Sequence, residues 1–287
     1  MKVAETIQDV RRAVAAARGA AATIGLVPTM GALHEGHLRL IDAARSQCDF
    51  VVVSIFVNPL QFGPGEDLEA YPRPIEADLA ACEARGVDVV FLPSAEVMYG
   101  RECLTKVTVE KLSGTLCGRS RPGHFAGVCT VVAKLFHIAM PDKAYFGAKD
   151  RQQAVILRRM AEDLDFPLEV VICPTVREAD GLAMSSRNRY LTADERRQAT
   201  ALYGSLQLAE RMIRQEHPPA EQVLQAIRSH LAEEARDATI DYVQIVDPLA
   251  LSDVERTDRS VLIALAVKLG RARLIDNILV EQPEEKG

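Results

Sequence analysis

Apolar runs of β-strand composition alternate with helical patterns through residues 23–173, and this alternation constrains the fold more than any other feature. The run DFVVVSIFV (49–57) is almost wholly apolar, as in parallel strands that are covered on both faces. A βαβα order predicts a parallel sheet with right-handed crossovers. Strands are predicted at 23–27, 49–57, 87–92, 143–146 and 168–173, and helices at 38–45, 74–86, 125–139 and 151–162.

The pattern changes near residue 175, and the chain is therefore predicted to form two domains. Residues 1–175 are expected to form a Rossmann-like, doubly wound α/β domain, which opens with an amphipathic helix over residues 1–19. Residues 176–287 are expected to form a smaller α+β domain, with a hairpin turn at Gly270 and a disordered tail, EQPEEKG. Its predicted elements are helices at 192–215 and 220–235, and strands of a short antiparallel sheet at 240–246, 260–268 and 272–279.

Composition argues against several classes of protein, although it leaves room for one local basic groove. With 34 Lys and Arg against 40 Asp and Glu, the net charge of -6 argues against a non-specific nucleic-acid surface. The sequence contains no stretch of about 18 apolar residues, so we expect no membrane span. The six cysteines are scattered and form no C-x-x-C pair, so we expect reduced, mostly buried thiols in a cytoplasmic enzyme.

Polar motifs follow three of the predicted strands. They are MGALHEGH (30–37), NPLQFG (58–63) and GAKD (147–150). Ligands of open parallel sheets bind at the carboxyl ends of the strands, near the point where the strand order reverses. The three motifs therefore predict a binding site at this edge of the sheet.

The histidine pair of the first motif admits several interpretations. Helical zinc sites need two histidines four residues apart, but His34 and His37 are three apart, with Gly36 between them weakening a helix. Zinc is therefore disfavoured. A glycine-bearing turn before a helix presents backbone N–H groups to phosphates, and imidazoles there can donate to a polyphosphate. Capping or otherwise satisfied histidines remain open on the spacing alone.

The other polar candidates also have ordinary structural explanations. Asn58 and Gln61 are either solvated loop amides or paired donors and acceptors for a hydroxy acid. Lys149 and Asp150 are either a solvated lysine and a capping aspartate or part of a phosphate loop. The S-S-R of residues 185–187 is an exposed turn or a set of donors to phosphate.

Five motifs in order carry a family resemblance over residues 27–191. They are VPTMGALHEGHLRLI, SIFVNPLQFGPGEDLEAYPR, RPGHFAGVCTVVAKLF, AYFGAKDRQQ and PTVREADGLAMSSRNRYL. The first contains the H-x-G-H pattern of a nucleotidyltransferase superfamily. Together they resemble the pantoate–β-alanine ligases of that superfamily. The last third of the chain adds little signature of its own.

The resemblance implies a ligase of pantothenate biosynthesis that condenses (R)-pantoate with β-alanine. ATP is consumed to AMP and pyrophosphate through a pantoyl adenylate, Mg²⁺ accompanies the ATP, and the enzyme is a homodimer. His37 is then the proton donor, with His34 and Lys149 also catalytic. The implied ATP-binding residues are Met30, Gly31, Ala32, Leu33, His34, Glu35, Gly36, His37, Gly147, Ala148, Lys149, Asp150, Val176, Met184, Ser185, Ser186 and Arg187.

The remaining residue assignments also rest on the resemblance. Gln61 and Gln153 are expected to bind pantoate, with Asn58 as a further substrate-binding amide. The carboxylate of Asp78 is a candidate for Mg²⁺, against the alternative of a solvated helix face; the Mg²⁺ ligands themselves are not assigned. Ala148 departs from the larger polar residue often found there in the family, and Arg121 and His124 have no assigned role on a loop expected over the site.

Two other functions compete with the ligase. One is a nucleotidyltransferase that leaves AMP attached to its product. The amide-bearing second motif and the second domain argue against it. The other is a nucleotide-binding regulator or RNA-binding module with an inactive site. The intact set of phosphate-binding residues and the acidic composition argue against that one.

Overall fold

The computed structural model describes residues 1–282, which divide into two compact units. The first unit comprises Met1–Ser113, Arg121–Ala148 and Gln153–Pro174. The second comprises Gly114–Ser120, Lys149–Gln152 and the chain from Thr175 onward. The functional division into domains 1–175 and 176–287 stays a prediction. Of the tail predicted to be disordered, residues 283–287 lie outside the described residues.

The first unit contains a parallel sheet of six strands. They are β1 (Lys2–Ala4), β2 (Ile24–Thr29), β3 (Phe50–Ile55), β4 (Val89–Phe91), β5 (Lys143–Gly147) and β6 (Glu169–Cys173). Their order across the sheet is β1-β4-β3-β2-β5-β6. The chain moves outward from β2 to β3 and β4, and then returns to place β5 on the other side of β2. The strand order therefore reverses between β2 and β5.

Helices cover this sheet and also form part of the second unit. Their bounds are α1 (Ile7–Gly19), α2 (Glu35–Gln47), α3 (Ile75–Glu83), α4 (Ala95–Tyr99), α5 (Cys117–Ser120), α6 (His124–Ala139), α7 (Arg151–Asp163), α8 (Ala193–Gln198), α9 (Thr200–Glu216) and α10 (Ala220–Glu234).

Both faces of the sheet are buried, as the apolar run 49–57 predicts. Val51 and Val53 of β3 pack in one core cluster with Leu40 and Ile41 of α2. Val52 points to the opposite face, because successive side chains of a strand alternate, and it is 1% exposed. The predicted α/β fold with a parallel sheet is confirmed.

The N-terminal prediction was wrong in part. Residues 1–19 do not form one helix, because Lys2–Ala4 pairs in parallel with β4 and closes the edge of the sheet. Helix α1 begins only after Thr6, whose hydroxyl accepts a hydrogen bond from the backbone N–H of Asp9. A three-residue edge strand is set by its pairing partner and is too short to show a periodicity of its own.

The second unit contains an antiparallel sheet, β7 (Thr239–Val246), β8 (Val261–Leu269) and β9 (Ala272–Val280), as predicted. The loop between β8 and β9 has two residues and begins with Gly270 at φ +55°, so the predicted hairpin is confirmed. Val261, Ile263 and Leu265 of β8 pack in one core with residues of α9 and α10. The helix predicted over 192–215 is two helices, α8 and α9, that meet at Ala199.

Two further expectations concern the membrane and the thiols. Over residues 1–282, each helix is too short or too polar to cross a bilayer. All six cysteines are free, and five of them are buried while Cys103 is partly exposed. The prediction that the thiols are mostly buried is confirmed, and their reduced state stays a prediction.

Candidate active site

The loop after β2 is held by a buried carboxylate. The backbone N–H groups of Ala32 and Leu33 each donate to one oxygen of Asp78, both at 2.8 Å. Gly31 has φ +80°, and a Cβ there would lie 2.9 Å from an Asp78 oxygen, so the close approach requires glycine. Asp78 is 2% exposed, so the solvated-carboxylate alternative was wrong; its carboxylate shapes the motif loop.

The two histidines lie at the start of α2, beside the strand-order reversal. His34 caps the helix, and its Nδ1 accepts from the backbone N–H of Gly36 at 3.2 Å. The Nδ1 of His37 accepts from the backbone N–H of His34 at 3.3 Å. The ring centroids are 4.1 Å apart. The helix runs through Gly36, and a Cβ at that position would lie 2.9 Å from Cε1 of His34.

These contacts fix the tautomer of both rings. A nitrogen that accepts a hydrogen bond from a backbone N–H carries no proton, so the proton of each neutral ring is on Nε2. Both imidazoles are therefore set to donate from Nε2 at the N-terminus of α2. Ring N–H donors beside a positive helix end are suited to an anionic ligand. Nδ1 of each ring thus makes the contact that the capping alternative describes, and the phosphate interpretation stays a prediction.

The side chain of Glu35 is engaged by arginines instead of being available to an anionic ligand. Its carboxylate oxygens lie 3.1 Å from Arg39 Nε and 3.7 Å from an Arg85 nitrogen, so the side chain is neutralised by two guanidinium groups. Any contribution of Glu35 to nucleotide binding would come from its backbone. Only the motif's position at the helix start, and no feature of this carboxylate, supports its assignment.

Asn58 is a buried junction. It is 1% exposed, and its Oδ1 accepts from the Leu60 backbone N–H at 3.2 Å and from the Tyr99 hydroxyl at 2.6 Å. Its Nδ2 donates to the Gly127 carbonyl at 3.1 Å and to Oε1 of Gln61 at 3.0 Å. All four hydrogen-bonding positions of the amide are thus occupied within the protein. This geometry favours a role in orienting Gln61 over direct contact with a substrate.

Gln61 is oriented by that network. Because its Oε1 accepts from Asn58, its Nε2 points the other way, where it lies 3.0 Å from the Met30 sulfur. Met30 belongs to the first motif and Gln61 to the second, so the two strand-end motifs meet in the first unit. Burial raises the pKa of Tyr99 well above its usual value, so its hydroxyl stays a proton donor to Asn58.

Arg121 and His124 contact the same segment from the backbone side. His124 Nδ1 lies 2.8 Å from the Gln61 carbonyl oxygen, and Arg121 Nη2 donates to the same oxygen at 3.2 Å. Arg121 also donates from Nε to Glu66 at 2.7 Å, and this hydrogen bond holds the pKa of Glu66 below its usual value. The role that sequence left unassigned is therefore a clamp on the backbone of Gln61.

The GAKD motif divides between the two units. Gly147 ends β5 and Ala148 follows it, both half-buried in the first unit. Lys149 and Asp150 group with the second unit, where the Lys149 carbonyl accepts from Nδ2 of Asn277 at 2.8 Å. Lys149 Nζ lies 3.9 Å from an Asp150 oxygen, and Asp150 itself is exposed.

Two adjacent glutamines at the start of α7 differ in environment. Gln152 is 8% exposed. Its Oε1 accepts from the backbone N–H of Cys117 at 3.0 Å, and its Nε2 donates to the Thr115 carbonyl at 2.8 Å. Gln153, predicted to bind pantoate, is half-buried in the first unit. The structure therefore distinguishes a supporting glutamine from a candidate ligand, which the sequence DRQQ does not.

The predicted ATP segment of the second unit is a folded turn. The backbone N–H of Met184 donates to the Val176 carbonyl at 3.0 Å. Ser185 caps a 3₁₀ helix over Ser186–Tyr190, and its hydroxyl accepts from the Arg187 backbone N–H at 3.3 Å. Met184, Ser185, Ser186 and Arg187 are all half-buried. The exposed-turn alternative for S-S-R therefore does not describe this segment.

The predicted site residues thus form two groups. The first unit brings together Met30–His37, Asn58 and Gln61, and also contains Gly147, Ala148 and Gln153; the second unit carries Lys149, Asp150, Val176 and Met184–Arg187. Sequence reasoning missed Tyr99, Glu66 and Asn277, whose partners lie far away in the chain. Among residues 1–282, no cluster of three or more His, Cys, Asp or Glu side chains is suited to hold a metal ion.

The chain is similar to known proteins along nearly its whole length. A family model for pantoate–β-alanine ligase matches residues 2–279. Pantothenate synthetase of Thermotoga neapolitana is 54% identical over 280 residues, which cover 98% of this chain and 100% of the relative. That of Acidobacterium capsulatum is 54% identical over 291 residues, covering 98% of this chain and 97% of the relative.

Solved structures give the same result. The crystal structure of pantothenate synthetase from Thermus thermophilus has a TM-score of 0.91 at 43% identity, covering 98% of this chain and 100% of that one. Pantoate–β-alanine ligase from Francisella tularensis, complexed with beta-gamma ATP and β-alanine, has a TM-score of 0.79 at 34% identity, with 99% of each chain covered. The chain therefore belongs to the pantoate–β-alanine ligase family.

Proposed function

We propose that this ligase forms pantothenate by way of a pantoyl adenylate. The carboxylate of (R)-pantoate attacks the α-phosphate of ATP, and pyrophosphate leaves. The amine of β-alanine then attacks the carbonyl carbon of the adenylate, loses a proton, and expels AMP. The observation that carries the proposal is the pair of imidazoles at the N-terminus of α2, with both Nδ1 atoms held by backbone N–H groups.

His34 and His37 act on the leaving pyrophosphate. Negative charge grows on the phosphate oxygens as pyrophosphate departs, and donors fixed in advance stabilise that charge. Both rings donate from Nε2 because Nδ1 is occupied, and the positive end of α2 adds to the attraction. We assign His37 as the donor to a leaving phosphate oxygen: with Nδ1 held by the backbone N–H of His34, its Nε2–H donates a hydrogen bond and keeps its proton. Lys149, Ser185, Ser186 and Arg187 are assigned as further donors to the phosphates.

The nucleoside part of ATP is assigned to backbone groups. The loop Met30–Leu33, shaped by Asp78, follows β2, and Gly147 and Ala148 lie at the end of β5. These two strands flank the reversal of strand order, where nucleotides bind in such sheets. Val176 is assigned to the adenine through its backbone. Because these contacts use backbone atoms, the alanine at position 148 is compatible with them.

Pantoate is assigned to Gln61 and Gln153. The Nε2 group of Gln61 is directed away from Asn58 and toward Met30, so its N–H groups can meet a hydroxyl or carboxylate oxygen of the substrate. Asn58, predicted as a direct ligand, is assigned here as the residue that orients Gln61. The Glu66–Arg121–His124 clamp holds the backbone of the same residue.

Mg²⁺ is proposed to enter with ATP. This cation keeps several water ligands and binds largely through substrate phosphates, so it needs no dedicated protein cage. The residues that would meet such a complex are the phosphate-binding donors already named. Asp78 is a poor candidate ligand, since each of its oxygens accepts a backbone N–H. The homodimer and the cytoplasmic location also remain predictions.

An omission assay tests the proposed reaction. Purified protein would receive ATP, Mg²⁺ and pantoate, with and without β-alanine, and AMP, ADP, pyrophosphate and pantothenate would be quantified. We expect sustained AMP and pyrophosphate release only when β-alanine is present, with pantothenate in equal amount. Release of ADP would instead indicate an acyl phosphate and would remove the assignment of the histidines to pyrophosphate departure.

A further inference from the structure

Two adjacent residues of β9 each hold a different segment that the proposed function assigns to ATP. Nδ2 of Asn277 donates to the backbone carbonyl of Lys149 at 2.8 Å. The carboxylate of Asp276 accepts from both terminal nitrogens of Arg177, at 2.6 and 3.0 Å. Arg177 directly follows Val176, at the start of the segment that leads to Ser185. One strand therefore contacts Lys149 itself and the residue next to Val176.

The contact with Arg177 is buried and specific. Asp276 is 2% exposed, and the planar guanidinium matches its two oxygens in a bidentate pair. Arg177 also donates to the Gly181 carbonyl at 3.1 Å and stacks on the ring of Tyr203, 3.8 Å from its centroid. Its backbone pairs with Ala183. The guanidinium and the backbone pairing together hold the turn that precedes Met184.

The hydrogen bond from Asn277 to Lys149 holds the first residue of the short segment Lys149–Gln152. Lys149–Gln152 is anchored at its other end by Gln152, whose amide bonds to Thr115 and Cys117. Asn277 is 9% exposed, and its backbone N–H donates to Asp276 at 2.8 Å. Successive side chains of a strand point to opposite faces, so the pair reaches one segment on each side of β9. The spacing between the two segments is therefore set by adjacent residues.

We propose that Asp276 and Asn277 are positioning residues for ATP, which fix Lys149 and the Ser185–Arg187 segment relative to one another for binding a triphosphate. The inference rests on the proposed function, since it takes both segments as phosphate-binding. Donors that must meet one polyphosphate need a fixed spacing, and a small displacement of such groups has a large effect on rate. Neither residue touches the substrate in this role.

Asn277→Asp is the sharpest test. The substitution keeps the shape of the side chain but replaces the N–H donor with an oxygen that faces the Lys149 carbonyl. We expect the KM for ATP to rise roughly tenfold or more, with slower pyrophosphate release, while the KM for β-alanine changes by less than about twofold. Leu274→Ala is the matched control: it lies on the same strand, is 4% exposed, and touches the core instead of an ATP segment.

A purely structural role for Asn277 gives a different result. Asn277→Asp and Leu274→Ala would then both lower the melting temperature and leave the KM for ATP unchanged, which would overturn the proposal. A second test introduces Asn277→Asp into a Lys149→Ala background. Because Asn277 acts through Lys149, its effect on ATP should largely disappear there, whereas additive effects would contradict the mechanism.

The outcomes also separate this inference from the proposed function. A parent protein that forms no AMP and no pantothenate would refute the function itself. An active parent with an unaffected Asn277→Asp variant would refute only the positioning role. If Asn277→Asp does not fold, Arg177→Lys keeps the charge beside Asp276 but loses the bidentate pair, and the same selective rise in the KM for ATP is required.

Discussion

The side-chain nitrogen of Asn58 lies 3.0 Å from the side-chain oxygen of Gln61, and this hydrogen bond fixes the direction of the Gln61 amide. The assignment is unambiguous, because Asn58 must accept from the Leu60 N–H and must donate to the Gly127 carbonyl. Only the nitrogen of Asn58 can therefore face Gln61. A buried amide thus determines which atom of a candidate pantoate ligand is presented.

Asn58→Asp should impair pantoate binding with little change in size. The new carboxylate would face the Gly127 carbonyl and the oxygen of Gln61, so Gln61 would lose its partner or turn over. We expect the KM for pantoate to rise and turnover to fall on the order of 10²-fold. Initial rates at varied pantoate would measure this. Tyr99→Phe removes one of the two hydrogen bonds that Oδ1 of Asn58 accepts, so it should raise the KM for pantoate less. An equal rise in the two variants would indicate a general loss of packing.

Gly36→Ala should separate activity from stability. The added methyl would lie 2.9 Å from Cε1 of His34, and the flexible partner, the imidazole, must move. Replacing glycine by alanine in a helix otherwise favours the helix by about 0.5–1 kcal/mol. We therefore expect a normal or raised melting temperature with pyrophosphate release reduced on the order of 10²-fold. Gly19→Ala, with open space around the new methyl, is the control that should keep full activity.

His37→Ala should reduce adenylate formation by at least ~10²-fold while the fold is kept. The imidazole is half-buried at the surface of α2, and its loss removes the proposed hydrogen-bond donor without opening the core. Pyrophosphate release in the presence of ATP, Mg²⁺ and pantoate is the measurement, with circular dichroism to verify the fold. Turnover near that of the parent would remove His37 from the mechanism.

Asp78→Asn should loosen the motif loop. One oxygen would become an NH₂ group facing a backbone N–H, so a buried hydrogen bond is lost at a cost of about 1–3 kcal/mol in the free energy of unfolding. ATP affinity should fall as well, because the loop starts the nucleotide motif. Denaturant unfolding and an ATP titration would check both. The Mg²⁺ concentration giving half-maximal rate should not change; a large rise would indicate that Asp78 binds the metal.

The Glu66–Arg121 ion pair should make the stability of the fold depend on pH in the acidic range. Arg121 holds the pKa of Glu66 below its unfolded value, so the ion pair stabilises the fold above the unfolded pKa. That contribution is lost as the pH falls through the folded pKa. Thermal melts between about pH 3 and 7 should show a steeper acid loss for the parent than for Glu66→Gln. Identical acid profiles would show that the pair contributes nothing to stability.

Local sequence was sufficient for most of the architecture. Apolar runs and helical spacing correctly predicted strands β2 to β9, the parallel and antiparallel sheets, and the hairpin at Gly270, because each depends on side-chain periodicity or a turn residue. Residues 2–4 were wrongly assigned to a helix. Their strand depends on pairing with β4, which the local sequence does not show. The family motifs also identified the ligase family, which the comparisons confirm.

The sequence by itself determined that three polar motifs lie at the ends of strands, because that spacing is local, and its resemblance to the family predicts which of their residues bind ATP and pantoate. Only the tertiary structure decided which residues hold the candidate ligands in place. Asp78 holds a loop 45 and 46 residues away, Asn58 orients Gln61 with help from Tyr99, and Asn277 holds Lys149 across 128 residues. Such roles depend on hydrogen bonds between distant segments. A buried polar group must find its partners wherever the fold places them, and no local pattern in the chain records that choice.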